Sequence, residues 1–181
     1  MPSATICRET HFRFWRVVLP SILWIVSLVS CGNNKDAVEI CRTNIGSVVV
    51  ANGSDSMATL LHIDSNGDTL SQWPLHHSVY HFDYGDLVGD GVPEIVVGVI
   101  KKTKYWRTED RRLLVFKLYK GELIRPLWLG SRLGCPILTF RIERDSMPAR
   151  IVSTEQCSDT IIRAMYRIKG FGPKFEKYIN N

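Results

Sequence analysis

The stretch from Phe82 to Gly98, FDYGDLVGDGVPEIVVG, concentrates the candidate reactive groups of this 181-residue chain. Asp86, Val88, Asp90, Val92 and Glu94 take alternate positions, with Gly89 and Gly91 between them. Calcium takes about six to eight oxygen ligands. A nine-residue loop beginning at Asp86 offers carboxylates at positions one, five and nine (Asp86, Asp90, Glu94) and the Val92 carbonyl at position seven. The same residues also suit a plain turn, in which the glycines adopt positive φ and the carboxylates accept from loop amides.

Just upstream, His76, His77 and His81 lie near Asp83. If Val79 to Asp83 is a strand, His81 and Asp83 share a face and supply two ligands of a transition-metal site, as a metal-dependent envelope hydrolase would need. Neither a His-Glu-x-x-His helix nor a distant ligand cluster accompanies them, and exposed histidines at a strand entrance account for the same residues. There is no Gly-x-Ser-x-Gly elbow and no phosphate-binding glycine loop, and Cys135 has no histidine nearby in sequence. A non-catalytic role is therefore the expectation. Trp73, Tyr105, Trp106, Tyr119 and Trp128 could form a sugar-stacking platform for a surface glycan, or could simply pack at strand ends.

Three copies of one pattern must position these groups. Each begins with a leading strand: Ala37 to Arg42, Val79 to Asp83, Pro136 to Ile142. Short β-branched runs follow at Val48 to Val50, Glu94 to Gly98 and Ala149 to Val152. Longer strands come next, Met57 to Asp64, Leu113 to Lys120 and Thr160 to Lys169, then turns at Asn66-Gly67, Gly121 and Gly170 and closing strands Asp68 to Leu75, Glu122 to Trp128 and Pro173 to Ile179. The turn glycines lie 54 and 49 residues apart, near the blade period of a propeller, roughly 40–50 residues. Lys101 to Arg112 is polar and charged, and is expected to be a long exposed hairpin loop. The expectation is an all-β fold of antiparallel four-stranded sheets in about three consecutive repeats (37–75, 76–130, 135–179), with a β-sandwich as the alternative. Three blades are too few to close a ring, so the sheets stack openly or a second copy completes them.

The acidic loop resembles the FG-GAP or VCBS repeat of integrin-α-like propellers, Asp-x-Asp-x-Asp-Gly-x-x-Asp running into a Val/Gly-rich strand. Asp86, Asp90, Gly91 and Ile95-Val96-Val97-Gly98 match it, Glu94 replaces the last aspartate, and Val88 departs from it at position three. The resemblance implies a propeller-type blade with calcium held by Asp86, Asp90, Val92 and Glu94. The other two copies lack the acidic loop.

The first 31 residues have the layout of an export signal: Arg8, Arg13 and Arg16, an apolar run from Val17 to Val29, then small residues. That run is too short to cross a bilayer as a helix, which takes about 20 residues. Leu28-Val29-Ser30-Cys31 resembles the lipobox of bacterial lipoproteins, which implies cleavage before Cys31, lipid on its thiol, and an envelope location with the membrane as a partner. Residues 32–36 are a polar tether and 37–181 a single β domain. Removing three arginines and one glutamate with the leader lowers the net charge from +5 to +3. Arg163, Arg167, Lys169, Lys174 and Lys177 suit the solvated face of a strand, and nucleic-acid binding is not expected. Outside the cytoplasm a disulfide is permitted, and Cys135 with Cys157 is the preferred pair; three unpaired buried thiols, Cys41 included, are the alternative.

Overall fold

A computed structural model describes residues 40–52, 57–130 and 132–180. The leader, the lipobox Leu28–Cys31, the tether and residues 37–39 of the first leading strand lie outside the described residues. What is described is all β, and it belongs to one compact unit, Lys35–Asn181.

Among the described residues, twelve strands form three antiparallel four-stranded sheets, each a meander in chain order. The first holds β1 (Ile40–Arg42), β2 (Gly46–Asn52), β3 (Ala58–Asp64) and β4 (Thr69–Pro74). The middle sheet holds β5 (Val79–Gly85), β6 (Glu94–Lys101), β7 (Asp110–Tyr119) and β8 (Leu123–Trp128). The third holds β9 (Ile137–Glu143), β10 (Arg150–Cys157), β11 (Thr160–Lys169) and β12 (Gly172–Tyr178). This is the expected blade-like arrangement, one sheet per repeat. The turn glycines Gly67, Gly121 and Gly170 all have positive φ (93°, 77° and 64°), the conformation that closes each third hairpin without a Cβ penalty.

The sheets stack face to face, and their side-chain patterns follow from that. β2 and β3 bury alternate residues, because only one face of the first sheet meets another sheet. In the middle sheet Ile95, Val97, Val99, Leu114, Phe116 and Leu118 pack toward the first sheet, with Val48, Val50 and Leu60. Val96, Leu113 and Val115 point the other way, toward Ile137, Phe140, Ile142 and Ile151. Burial on both faces explains the unbroken apolar runs of β6 and β7. A fully buried aliphatic or phenyl side chain contributes about 2 kcal/mol, against about 1 kcal/mol net for a hydrogen bond. Packing between sheets, more than the ladders within them, therefore sets the stability of the stack.

The third sheet approaches closely because two glycines let it. A Cβ at Gly98 would lie 2.6 Å from Tyr80 Cζ and 2.9 Å from Phe140 Cε1, and one at Gly85 would lie 2.7 Å from Ile142 Cγ2.

One expectation is corrected. Lys101 to Arg112 is not all loop: Lys101 ends β6, Asp110 to Arg112 begin β7, and only 102–109 connect them. Arg112 is buried at 2% exposure, with Nη1 2.8 Å from Asp110 Oδ2. A charged run looks like loop in sequence, yet a long strand can carry cations at its mouth when a partner carboxylate comes with them.

Gly98→Ala should destabilise the protein by about 1–3 kcal/mol through overpacking against two aromatic rings. Chemical denaturation reads this as a lower midpoint; an unchanged midpoint would mean that the two sheets separate easily.

Candidate functional site

The acidic turn connects β5 to β6 and is folded onto its own carboxylates. Asp86 Oδ1 accepts from the amides of Gly89 (2.5 Å) and Asp90 (3.1 Å), and Oδ2 from that of Gly91 (2.9 Å). Asp90 Oδ1 accepts from Val92 N at 3.0 Å. Glu94, at 1% exposure, reaches back so that Oε2 accepts from Leu87 N (2.8 Å) and Val88 N (3.0 Å). Gly89 and Gly91 have φ of 90° and 83°, which brings successive amides round to Asp86.

The turn is also docked on the third sheet. Leu87 is buried in the core between the middle and third sheets. Ala149 N donates to Asp86 O at 2.7 Å, and a Cβ at Gly89 would lie 2.9 Å from Pro148 Cγ. Val88 projects into solvent at 46% exposure.

Asp86, Asp90 and Glu94 each accept from amides of the loop itself. The carboxylate oxygens of Asp86, Asp90 and Glu94 are not gathered into one ligand group; among the described residues the group that does gather is Cys135, Glu155 and Cys157. Burial pushes the Glu94 carboxyl up to about 7, above its ordinary value of 4.5, against the pull of its two amide donors.

His81 and Asp83 do share a face, and that face is packed against the third sheet. Phe140 meets the His81 ring edge-on, with centroids 4.7 Å apart. Asp83 Oδ2 accepts from Ile142 N at 2.6 Å, while Oδ1 accepts from Tyr84 N at 2.8 Å and from the Arg144 guanidinium. Asp83 thereby ties β5 to β9. His76 is exposed and His77 half-buried on the connection before β5; burial, then the positive charges of Lys101 and His76, lower the His77 pKa.

The five candidate aromatics are dispersed. Trp73 lies against Phe116 in the core, with centroids 5.8 Å apart, and Trp128 sits against Gly172. Tyr119 ends β7 at the opposite end from Tyr105 and Trp106, which occupy the β6–β7 connection. They form no common platform.

Cys135 and Cys157 are joined in a disulfide, with Cα atoms 5.4 Å apart. Cys41 is a buried free thiol, and burial pushes its pKa up to about 12. Beside the disulfide lies a network that sequence reading missed. Glu155, fully buried, accepts from Cys135 N (2.6 Å), from the Ser153 hydroxyl and from the Tyr166 hydroxyl (2.7 Å), while that Tyr166 oxygen accepts from Gly134 N (3.1 Å). His62 was missed too: its Nδ1 lies 2.8 Å from the Glu122 carbonyl and its Nε2 3.1 Å from Thr43 Oγ1. The usable signal was alternation, because 58, 60 and 62 on β3 and 151, 153 and 155 on β10 continue an inward row.

The raised Glu94 pKa gives a pH signature. The native state holds this proton more tightly than the unfolded chain, so the contribution is complete below about pH 4.5 and is lost as pH rises through about 7. Relative to Glu94→Gln, which keeps an acceptor for Leu87 and Val88, wild-type Tm should fall across that window. Parallel Tm profiles for the two proteins would refute the assignment.

Set beside known proteins, the chain matches no protein-family model and no curated protein sequence.

Proposed function

We propose that this protein is a lipid-anchored component of the cell envelope, acting as a non-catalytic binding or assembly module. The observation that carries the non-catalytic part is where the acidic groups point. Asp83, Asp86, Asp90, Glu94 and Glu155 all accept from amides or side chains of the protein itself. A general base or a metal ligand presents a lone pair to substrate or ion; in this reading the carboxylates serve instead to hold turns and join sheets.

The anchor rests on the order of residues at the N-terminus: a basic front, a short apolar run and Leu28-Val29-Ser30-Cys31, followed by a polar tether. An export signal also accords with the Cys135–Cys157 bond, since oxidising compartments are where structural disulfides persist. The stack of sheets supports a binding role, because it leaves two outward sheet faces and several hairpin ends available for contact.

Growing cells with a labelled fatty acid tests the anchor: wild type should carry label and Cys31→Ser should not. Label on the serine variant would overturn it. Calcium has no structural part in this reading, so millimolar calcium and a chelator should give the same Tm. A calcium-dependent rise would instead identify a native-state site.

A further inference from the structure

The β6–β7 connection is one of two strongly basic stretches of the domain, the other being Arg163 to Lys177 with five cations against one carboxylate. Between Lys101 and Arg112 the chain has six cations against two carboxylates, whereas residues 37–181 as a whole have nineteen against sixteen. Outside this hairpin end the domain is slightly acidic. The connection is also ordered into a turn: Thr103 N donates to Trp106 O at 2.9 Å, and Trp106 N approaches Thr103 Oγ1 at 3.1 Å. That turn lifts Lys104 and Tyr105 to the apex, with Tyr105 84% exposed and Trp106 50% exposed. The Arg132 guanidinium lies 4.9 Å from the Trp106 ring centroid.

Part of the charge is already used. Arg112 pairs with Asp110, Lys101 donates to the Leu129 carbonyl, and Lys102 stands 3.9 Å from Glu109. Lys104 and Arg107 remain exposed beside the two aromatic rings. Exposed tyrosine and tryptophan next to lysine and arginine is the composition that settles at a lipid headgroup layer: the rings enter the interface while the cations meet anionic phosphates.

The chain's path places this hairpin end on the anchored side. Ile40, the first described residue, pairs with Val49 on β2, whose far end, Asn52, lies opposite Ala58 on β3. Thr59 in turn pairs with Pro74 at the end of β4. Pro74, Leu75 and His76 line one cleft with Lys101 and Leu129 at the base of the β6–β7 hairpin. The chain therefore enters the first sheet at the end from which this hairpin projects. Eight residues lie between Cys31 and Ile40, and at full extension the nine steps span no more than about 32 Å.

From these placements, and resting on the lipid anchor proposed above, we propose that the β6–β7 hairpin end docks on an anionic phospholipid surface and turns that end of the stack toward the membrane. The lipid anchor holds the chain at the bilayer without fixing its orientation, and a polybasic patch is a common second contact with the surface. Here the patch also sets orientation, leaving the opposite end, with Tyr119 and the β7–β8 turn, facing away from the bilayer.

The test reconstitutes the full lipidated chain in phosphatidylglycerol vesicles with brominated acyl chains and reads tryptophan quenching against Trp106→Phe, so that the difference isolates Trp106. Quenching of Trp106 is expected, with its loss in Lys104→Glu/Arg107→Glu, in about 0.5 M salt and in vesicles of phosphatidylcholine alone. An anchored protein whose Trp106 stays unquenched overturns the inference. If mass measurement finds Cys31 without lipid, the anchor fails separately. Flotation of the chain as isolated with phosphatidylglycerol vesicles then decides: the double charge reversal should lower affinity at least about thirtyfold, and equal flotation overturns the inference. Binding to a soluble polyanion such as heparin as tight as to the vesicles would assign the hairpin end to polyanions and overturn the lipid assignment.

Discussion

Burial of the middle sheet on both faces is the constraint on which the rest of the structure depends. β6 and β7 send Ile95, Val97, Leu114 and Phe116 into one interface and Val96, Leu113 and Val115 into the other. Each outer sheet has only one such face, so neither has a comparable core without the middle one. Gly98 and Gly85 set the distance to the third sheet by leaving room for Tyr80, Phe140 and Ile142. The acidic turn is subordinate to the same packing, because Leu87 plugs that second interface while the carboxylates keep the turn compact behind it.

Apolar contact alone does not fix how sheets sit on one another, since sliding costs little when both surfaces are aliphatic. The buried polar groups lie at the joins and supply that direction. Asp83 accepts from Ile142 N across the second interface, and His62 meets the Glu122 carbonyl across the first. Glu155 gathers Cys135 N, Ser153 and Tyr166 where the chain crosses into the third sheet, next to the Cys135–Cys157 bond. A buried polar group stripped of its partner costs about 1–3 kcal/mol. Each of these contacts therefore penalises a wrong register more than it stabilises the right one.

This use of polar residues separates the interior from the surface in functional terms. Carboxylates and histidines that look reactive along the chain hold the stack together, and the groups left free for a partner are exposed aromatics and cations at hairpin ends. A molecule built this way acts through its surface. The chemistry of that surface is uneven, with six cations against two carboxylates between Lys101 and Arg112.

Strand number, strand order and the three turn glycines were legible in the sequence because they depend on local rules: β-branched runs, alternation, and positive φ that glycine meets without strain. The acidic stretch was legible as a turn for the same reason. The Lys101 to Arg112 run misled, since local polarity does not reveal that Asp110 would accompany Arg112 into a buried strand mouth. Nor could residue order say whether Asp86, Asp90 and Glu94 face an ion or their own amides, whether His81 and Asp83 open to solvent, or whether five aromatics converge. Those outcomes depend on which sheet faces which and how closely, and that is fixed by contacts between residues roughly fifty or sixty positions apart, such as Asp83 with Ile142 and His62 with Glu122.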